Sequence, residues 1–214
     1  MNERTRINRK PDRGTDDRTV LHSLLDDAQV AHVAFVRLGY PVVLPMSFGR
    51  DGNRLLLHGS TGAGAFLAAR GGLEVSVAVT HLDGLVFARS TFGSSMNYRS
   101  AVVFGVATPV PDDEKYDALR AVTDRLMPGR WNEVRPPSVK ELAATTVLEL
   151  PLDEVSVKIR AAGPGEDTDD GEDHSVWAGV VPLRTVAGTP ERSPLTDSAV
   201  PLPGSVRSLL QPGR

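Results

Sequence analysis

The sequence has no cysteine among its 214 residues. This absence excludes disulfide bonds and thiolate metal sites, and it is typical of proteins in a reducing compartment. No apolar run approaches the roughly 20 residues that a membrane-spanning helix needs. The basic N-terminal stretch, residues 1–14, lacks the apolar core of a secretory signal peptide. We therefore expect a soluble, cytoplasmic protein.

An excess of charge of one sign is also missing. The formal net charge is −3, from 24 basic and 27 acidic residues. Such a balance gives no general attraction to nucleic acids or to membrane surfaces. We expect neither as a partner.

The sequence lacks the common catalytic motifs. It contains no glycine-rich nucleotide fingerprint, no zinc-protease motif and no nucleophile elbow. Its histidines show no metal-ligand spacing, so we expect no dedicated metal site. They are His22, His32, His58, His81 and His174.

What the sequence does contain is a series of short, β-branched apolar runs separated by turns rich in Gly and Pro. These runs predict six or seven strands, mostly joined by tight hairpins, such as 73–80 and 85–91 around a turn at 81–84. Gly105 lies inside a long run and indicates a bulge or bend. Helical periodicity predicts one helix from Thr15, capped by Thr15 or Asp16, and another over 112–127. Strands and helices do not alternate, which argues against a doubly wound parallel sheet. The pattern predicts a mainly β (α+β) fold, an antiparallel barrel with helices packed outside.

Composition divides the chain into three parts. Residues 1–14 are Arg-rich and predicted to be a flexible basic arm. Residues 15–183 hold the strands and helices, with an acidic linker at 163–174. Residues 184–214 are rich in Pro, Ser, Thr and Gly and are predicted to be a disordered tail.

The strongest local signal is the segment LLLHGSTGAGAF, residues 55–66. An apolar strand ends at His58-Gly59, and residues with very small side chains follow. Ser60 and Thr61 then lie at the start of a predicted helix, where free N–H groups and hydroxyls favour a phosphate. The alternative is an ordinary turn, with Ser60 as the N-cap of that helix.

Two further segments have the chemistry of a binding site. In SSMNYRS, residues 94–100, Arg99 offers a planar fork for a phosphate and Tyr98 a flat face for an aromatic ring. The alternative is a surface loop with Arg99 in solvent. Pro45 cannot donate to a sheet ladder, so its strand is predicted to be an edge or interrupted strand that leaves polar backbone groups free for a flat ligand.

The order of motifs along residues 15–183 resembles the pyridoxamine 5′-phosphate oxidase-like FMN-binding split-barrel superfamily, in particular its flavin-nucleotide-binding, nitroimidazole-resistance-like branch. This resemblance implies a six-stranded antiparallel split β-barrel with flanking helices. It also implies a homodimer with FMN in two clefts between the subunits, acting as an oxidoreductase on a small organic molecule. The motifs that carry it are HVAFV, PVVLPMSF, GNRLLLHGST, THLDGLVFARS, SMNYRSAVVFG, DDEKYDAL and VWAGVVPL.

The resemblance also implies roles for individual residues. His58, Gly59, Ser60 and Thr61 would form the phosphate cradle, with His58 as proton donor or substrate contact. The isoalloxazine edge would meet Pro45, Met46 and Ser47. Further phosphate or ring contacts, some of them to the partner's flavin, would come from Asn97, Tyr98, Arg99 and Ser100. Trp177 would cover the ring or else belong to the core.

One departure from the family pattern affects the cofactor. Relatives carry a basic residue in the segment after HGST, but this chain has none before Arg70. The phosphate would then depend on Arg99, with Arg89 or Arg54 as alternatives, and on backbone amides. The altered volume also suits F420 or haem, with His58, His81 or His32 as axial ligand. A non-catalytic haem or flavin carrier, or a barrel that has lost its cofactor, is the alternative to an enzyme.

Overall fold

Two long strands, β6 and β7, form the centre of the structure, a computed structural model that describes residues 3–165 and 175–210. They pair antiparallel from Leu73↔Ala107 to Val86↔Ser95. Their inward-facing residues, including Val77 and Val103, are fully buried. Part of the predicted acidic linker, residues 166–174 with His174, lies outside the described residues.

All the other strands attach to this central pair through antiparallel pairing. The sheet order is β3-β2-β6-β7-β8-β5-β4, while β9 also pairs with β7, β1 with β9, and β10 with β6. The described residues thus contain ten strands, more than the six or seven predicted from sequence. The strands are β1 (Gly14–Thr15), β2 (Ala31–Arg37), β3 (Tyr40–Met46), β4 (Phe48–Asp51), β5 (Arg54–Ser60), β6 (Leu73–Phe87), β7 (Ser95–Pro109), β8 (Thr145–Pro151), β9 (Glu154–Arg160) and β10 (Gly179–Pro182).

The barrel splits along β7. Residues 98–104 of this strand pair with β9, whereas Thr108 and Pro109 pair with β8. One strand therefore joins two groups of strands. The predicted class, an antiparallel split β-barrel with flanking helices, is confirmed.

Five helices cover this sheet in the described part of the chain: α1 (Arg18–Asp27), α2 (Gly64–Ala68), α3 (Lys115–Leu126), α4 (Val139–Ala143) and α5 (Gly204–Leu209). Helix α1 buries Leu21, Leu24 and Leu25 in the main core. Its N-cap is Asp17, which accepts a hydrogen bond from Thr19 N at 2.8 Å. The predicted caps, Thr15 and Asp16, were therefore wrong by one or two residues.

The predicted hairpin around residues 81–84 is wrong. Strand β6 runs through these residues without turning, because β7 pairs with it on both sides. The register shifts between Leu82, opposite Tyr98, and Gly84, opposite Asn97, so Asp83 is the extra residue of a β-bulge.

Both terminal segments contact the barrel. In the N-terminal segment, Thr5 is buried and Arg4 forms an ion pair with Glu154 at 2.8 Å. In the C-terminal segment predicted to be disordered, the structure has helix α5. Its residue Ser205 is buried and donates a backbone hydrogen bond to Glu133 at 2.9 Å.

Helix α3 packs directly on the backbone of β4. A β-carbon at Gly49 would lie 2.9 Å from Cα of Val122. We expect Gly49→Ala to lower the free energy of unfolding by about 1–3 kcal/mol, because helix and strand must separate. Denaturant titration measures this loss. Gly163→Ala is the control, since a β-carbon there has nothing within 4 Å; an equal effect of both changes would contradict the packing argument.

Candidate functional site

The loop after β5 is held by its own backbone. Thr61 N donates to Ala144 O at 3.0 Å, and Ala63 N donates to Ser60 O at 2.9 Å. Ser60 Oγ accepts from Gly62 N at 3.3 Å. Ser60 therefore closes a turn and is not a helix cap, since α2 begins later, with Ala63 as its N-cap and no side-chain cap bond. The prediction of a helix start at Ser60-Thr61 is wrong, because these amides are already used.

The small residues of this segment are required by two side chains that lie against it. A β-carbon at Gly59 would be 2.2 Å from the ring of Phe66, which is buried in the core. A β-carbon at Gly64 would be 2.6 Å from Nη1 of Arg37. The glycines thus let an aromatic ring and a guanidinium contact the backbone.

Arg37 reaches this loop from the end of β2. Strands β2 and β3 are joined by a two-residue turn, in which Leu38 and Gly39 have φ angles of 52° and 80°. Positive φ at both positions is the signature of the tight hairpin turn that matches strand twist. The turn pairs Arg37 with Tyr40 and fixes where Arg37 leaves the sheet. Sequence analysis missed this residue, because the contact joins segments that are distant along the chain.

A cleft adjoins the loop and is lined by Thr61 together with Thr146, Pro109 and Lys115. The Lys115 side chain is only 16% exposed, and its Nζ lies 2.6 Å from Asp112 Oδ1. The hydrogen bond and charge of Lys115 lower the pKa of Asp112. Lys115 is therefore a cation close to Thr61 that already has an anionic partner.

His58 is half-buried on β5, opposite Val147. Within the described residues its buried Nδ1 has no hydrogen-bond partner. Burial lowers the pKa of His58 below its ordinary value. The imidazole is thus neutral at pH 7, where it offers a lone pair or a neutral N–H but not a protonated acid.

Arg99 is occupied by carboxylates. Its Nε and Nη2 donate to Asp83 at 3.0 Å each, and its Nη1 donates to Asp27 at 3.0 Å. These bonds raise the pKa of Arg99. They join the β6 bulge and the end of α1, so the geometry gives Arg99 a structural role and not that of an open phosphate ligand.

The residues beside Arg99 are also held within the chain. Asn97 accepts hydrogen bonds from Arg160 and from Ala162 N, and Ser100 donates to Lys158 O at 3.3 Å. Tyr98 is half-buried between Leu82 and Arg160 in the sheet. This group lies ten positions before Pro109, which is about 30 Å of strand at 3.3 Å per residue. Within one chain it is far from the cradle.

The remaining predicted residues lie on β3, on its link to β4, and just before β10. Among the described strands β3 pairs with β2 alone and is an edge strand, as Pro45 predicted. Met46 packs on the main core, while Pro45 is exposed and Ser47 half-buried. Ser47 directly precedes Phe48, which pairs with Leu57, so Ser47 lies close to His58.

Trp177 is 64% exposed, so it does not belong to the core, and its ring lies 5.8 Å from that of Phe87. One chain therefore brings Ser47 next to the cradle and leaves Trp177 apart from it.

Comparison with known proteins identifies the family. A family model described as pyridoxamine 5′-phosphate oxidase matches residues 17–159. This chain belongs to the pyridoxamine 5′-phosphate oxidase-like family. Members of this family bind flavin. A comparison with curated proteins gives no match.

Two solved structures are similar to this family member along nearly their whole length. The FAD and heme binding protein from Mycobacterium smegmatis is 44% identical, with a TM-score of 0.89, over 92% of this chain and 97% of that one. The flavocytochrome Anf3 from Azotobacter vinelandii is 34% identical, with a TM-score of 0.90, over 98% of each chain.

A third structure shares the fold. A putative 5-nitroimidazole antibiotic resistance protein from Bacteroides thetaiotaomicron is 21% identical over 68% of this chain and 86% of that one, with a TM-score of 0.57. Among the described residues, no helix is long and apolar enough to cross a membrane. The same residues contain no cluster of three or more side chains suited to a metal ion.

The lowered pKa of His58 predicts how stability depends on pH. Because the folded pKa lies below the ordinary 6.5, the unfolded chain takes up its proton first. We expect stability to be constant above about pH 7 and to fall as the pH drops below 6.5 towards the folded pKa. His22, whose pKa is lowered by burial and then by Arg50 and Arg18, acts in the same direction.

Denaturation midpoints of wild type and His58→Gln between about pH 5 and pH 7.5 test this prediction. The variant should show a shallower fall at low pH. A His58 imidazole that titrates at or above 6.5 by NMR would contradict it.

Proposed function

We propose that this protein is a dimeric redox protein that binds FAD and haem. The observation that carries the proposal is end-to-end similarity, over 92% and 98% of this chain, to two proteins described as FAD- and heme-binding and as a flavocytochrome. We therefore propose FAD in place of the FMN predicted from sequence. A bound flavin supplies hydride and single-electron chemistry, and a bound haem supplies single-electron chemistry.

The loop after β5 suits a flavin phosphate. Ser60, which is exposed, and Thr61 offer hydroxyl groups. Arg37, beside Gly64, supplies positive charge, whereas Lys115, which lines a cleft with Thr61, is paired with Asp112. Met46 and Ser47 adjoin Phe48, which pairs with Leu57 next to His58, so the same subunit can bring them to this flavin. The group around Tyr98 and Trp177 would contact a flavin only if a second subunit brought it there.

His58 is the histidine that best suits a haem iron. An axial imidazole must be neutral, and its coordinating nitrogen must be free of other bonds. His58 meets both conditions through its lowered pKa and its buried, unpartnered Nδ1. His22, with a lowered pKa and a buried, unpartnered Nε2, meets them too, and we favour His58 because it lies on β5 just before the loop. His81 is less suited, because its Nε2 lies 3.1 Å from Leu24 O. A neutral His58 also argues against the predicted role of protonated acid.

A second copy of the chain would cover the outer face of the sheet. On this face, alternate residues of four strands form a mostly apolar surface around His32, which also includes Ser76 and Glu74 of β6. Val36 is 65% exposed and Val43 58% exposed. A contiguous exposed apolar patch of this kind marks an interaction site. We define the outer face by Ala34, Val36, Pro41, Val43, Pro45, Ala78, Val102, Phe104 and Val106, which neighbour one another across β3, β2, β6 and β7.

Cofactor content tests the proposed function. We expect the purified protein to show a flavin band and a Soret band, with FAD released on denaturation. His58→Ala should lose the Soret band and keep the flavin, while His32→Ala should keep both. Release of FMN or F420 would overturn the choice of FAD, and absence of the Soret band in wild type would overturn haem binding.

Oligomeric state tests the outer face. Val43→Glu places a charge on it, so we expect light scattering to show a monomer where the wild type is a dimer. Val139→Glu is the matched control, because Val139 is 85% exposed on α4, outside this face. A wild-type monomer, or a Val43→Glu dimer, would contradict the proposed interface.

A further inference from the structure

The loop after β5 lacks a cation of its own. Residues 59–69 contain no Lys, Arg or His. A phosphate dianion binds most strongly through charge-assisted hydrogen bonds. If this loop holds the flavin phosphate, the charge must come from another part of the chain.

We propose that Arg37, on β2, supplies this charge and binds the phosphate groups of the flavin; the inference rests on the proposed function. The guanidinium lies against Gly64, with Nη1, Cζ and Nη2 at 2.6, 2.7 and 3.0 Å from the position of a β-carbon there. A cation from β2 thus lies beside the loop that has none. The planar guanidinium also presents paired N–H donors that suit phosphate oxygens.

Arg89 also has an interaction partner, and three other cations considered for this role are paired with carboxylates. Arg99 pairs with Asp83 and Asp27, and Lys115 pairs with Asp112. Arg54 pairs with Asp51, Glu114 and Glu149 at 2.9, 3.0 and 2.6 Å. Within residues 3–165 and 175–210, Arg37 has neither an ion pair nor a hydrogen bond. Its N–H groups are therefore available to an anionic ligand without breaking an existing pair.

Gly64 lets the guanidinium lie directly on the backbone of the loop. A β-carbon at residue 64 would force the end of the Arg37 side chain to shift. Because Arg37 is exposed and its side chain is flexible, we expect Gly64→Ala to weaken flavin binding less than loss of Arg37.

Flavins that differ in phosphate content test the proposal. Binding of riboflavin, FMN and FAD to the purified protein, titrated by flavin fluorescence, compares wild type with Arg37→Gln and Arg37→Lys. We expect Arg37→Gln to weaken FAD and FMN binding by about 10- to 100-fold, as loss of a charge-assisted bond implies. Riboflavin binding should change by less than about twofold, which also shows that the variant is folded. Arg37→Lys should bind FAD and FMN with intermediate affinity, because lysine keeps the positive charge but lacks the paired N–H donors of the guanidinium.

Two controls make the result specific. Arg120→Gln removes an equal charge from the exposed face of α3, where Arg120 pairs with Asp124, and should leave all three affinities unchanged. Lys115→Gln removes the cation that lines the cleft with Thr61 and so tests the alternative phosphate ligand. A loss of FMN and FAD affinity in Lys115→Gln but not in Arg37→Gln would overturn the inference. Equal FAD affinity of wild type and Arg37→Gln would also overturn it and leave the proposed function intact, whereas a wild type that binds no flavin would overturn both.

Discussion

The pairing of β6 with β7 is the interaction on which the rest of the structure depends. Each strand has fifteen residues, far longer than the five or six that are usual. This length lets one strand pair serve both halves of the barrel, since β7 changes partner from β9 to β8 where the sheet splits. The length of the pair also keeps two groups of polar residues apart. The cradle lies near one end of the pair, and the ion pairs of Arg99 lie near the other.

Most of the fold follows from local patterns. Alternating apolar residues over 73–79 and 101–107 predict strands whose inward side chains are buried, and helical periodicity predicts α1 with its leucines in the core. The pattern fails where composition and pairing disagree. The segment HLDG has the composition of a turn, but its partner β7 holds it extended. Helix α5 lies in a Pro- and Ser-rich stretch, and its bonds to Glu133, which is distant along the chain, cannot be read from that composition.

The site was harder to predict, because its important contacts join distant segments. The small residues after His58 do let another group lie close to the backbone, as the sequence indicated. The groups that lie there, however, are the side chains of Phe66 and Arg37, and Arg37 is 27 positions before Gly64. The composition of SSMNYRS made Arg99 a natural phosphate ligand. Its two carboxylate partners come from α1 and from the bulge, and no spacing within the segment indicates them.

The bulge at Asp83 has a consequence for the position of Arg99. Before it, odd-numbered residues such as Val77 and Val79 are buried, and after it, even-numbered residues such as Gly84 and Val86 are buried. Asp83 is therefore one extra residue that reverses the alternation of buried and exposed side chains along β6. Without it β6 would pair with β7 in unbroken register, but Arg99 would lose the carboxylate that accepts two of its hydrogen bonds.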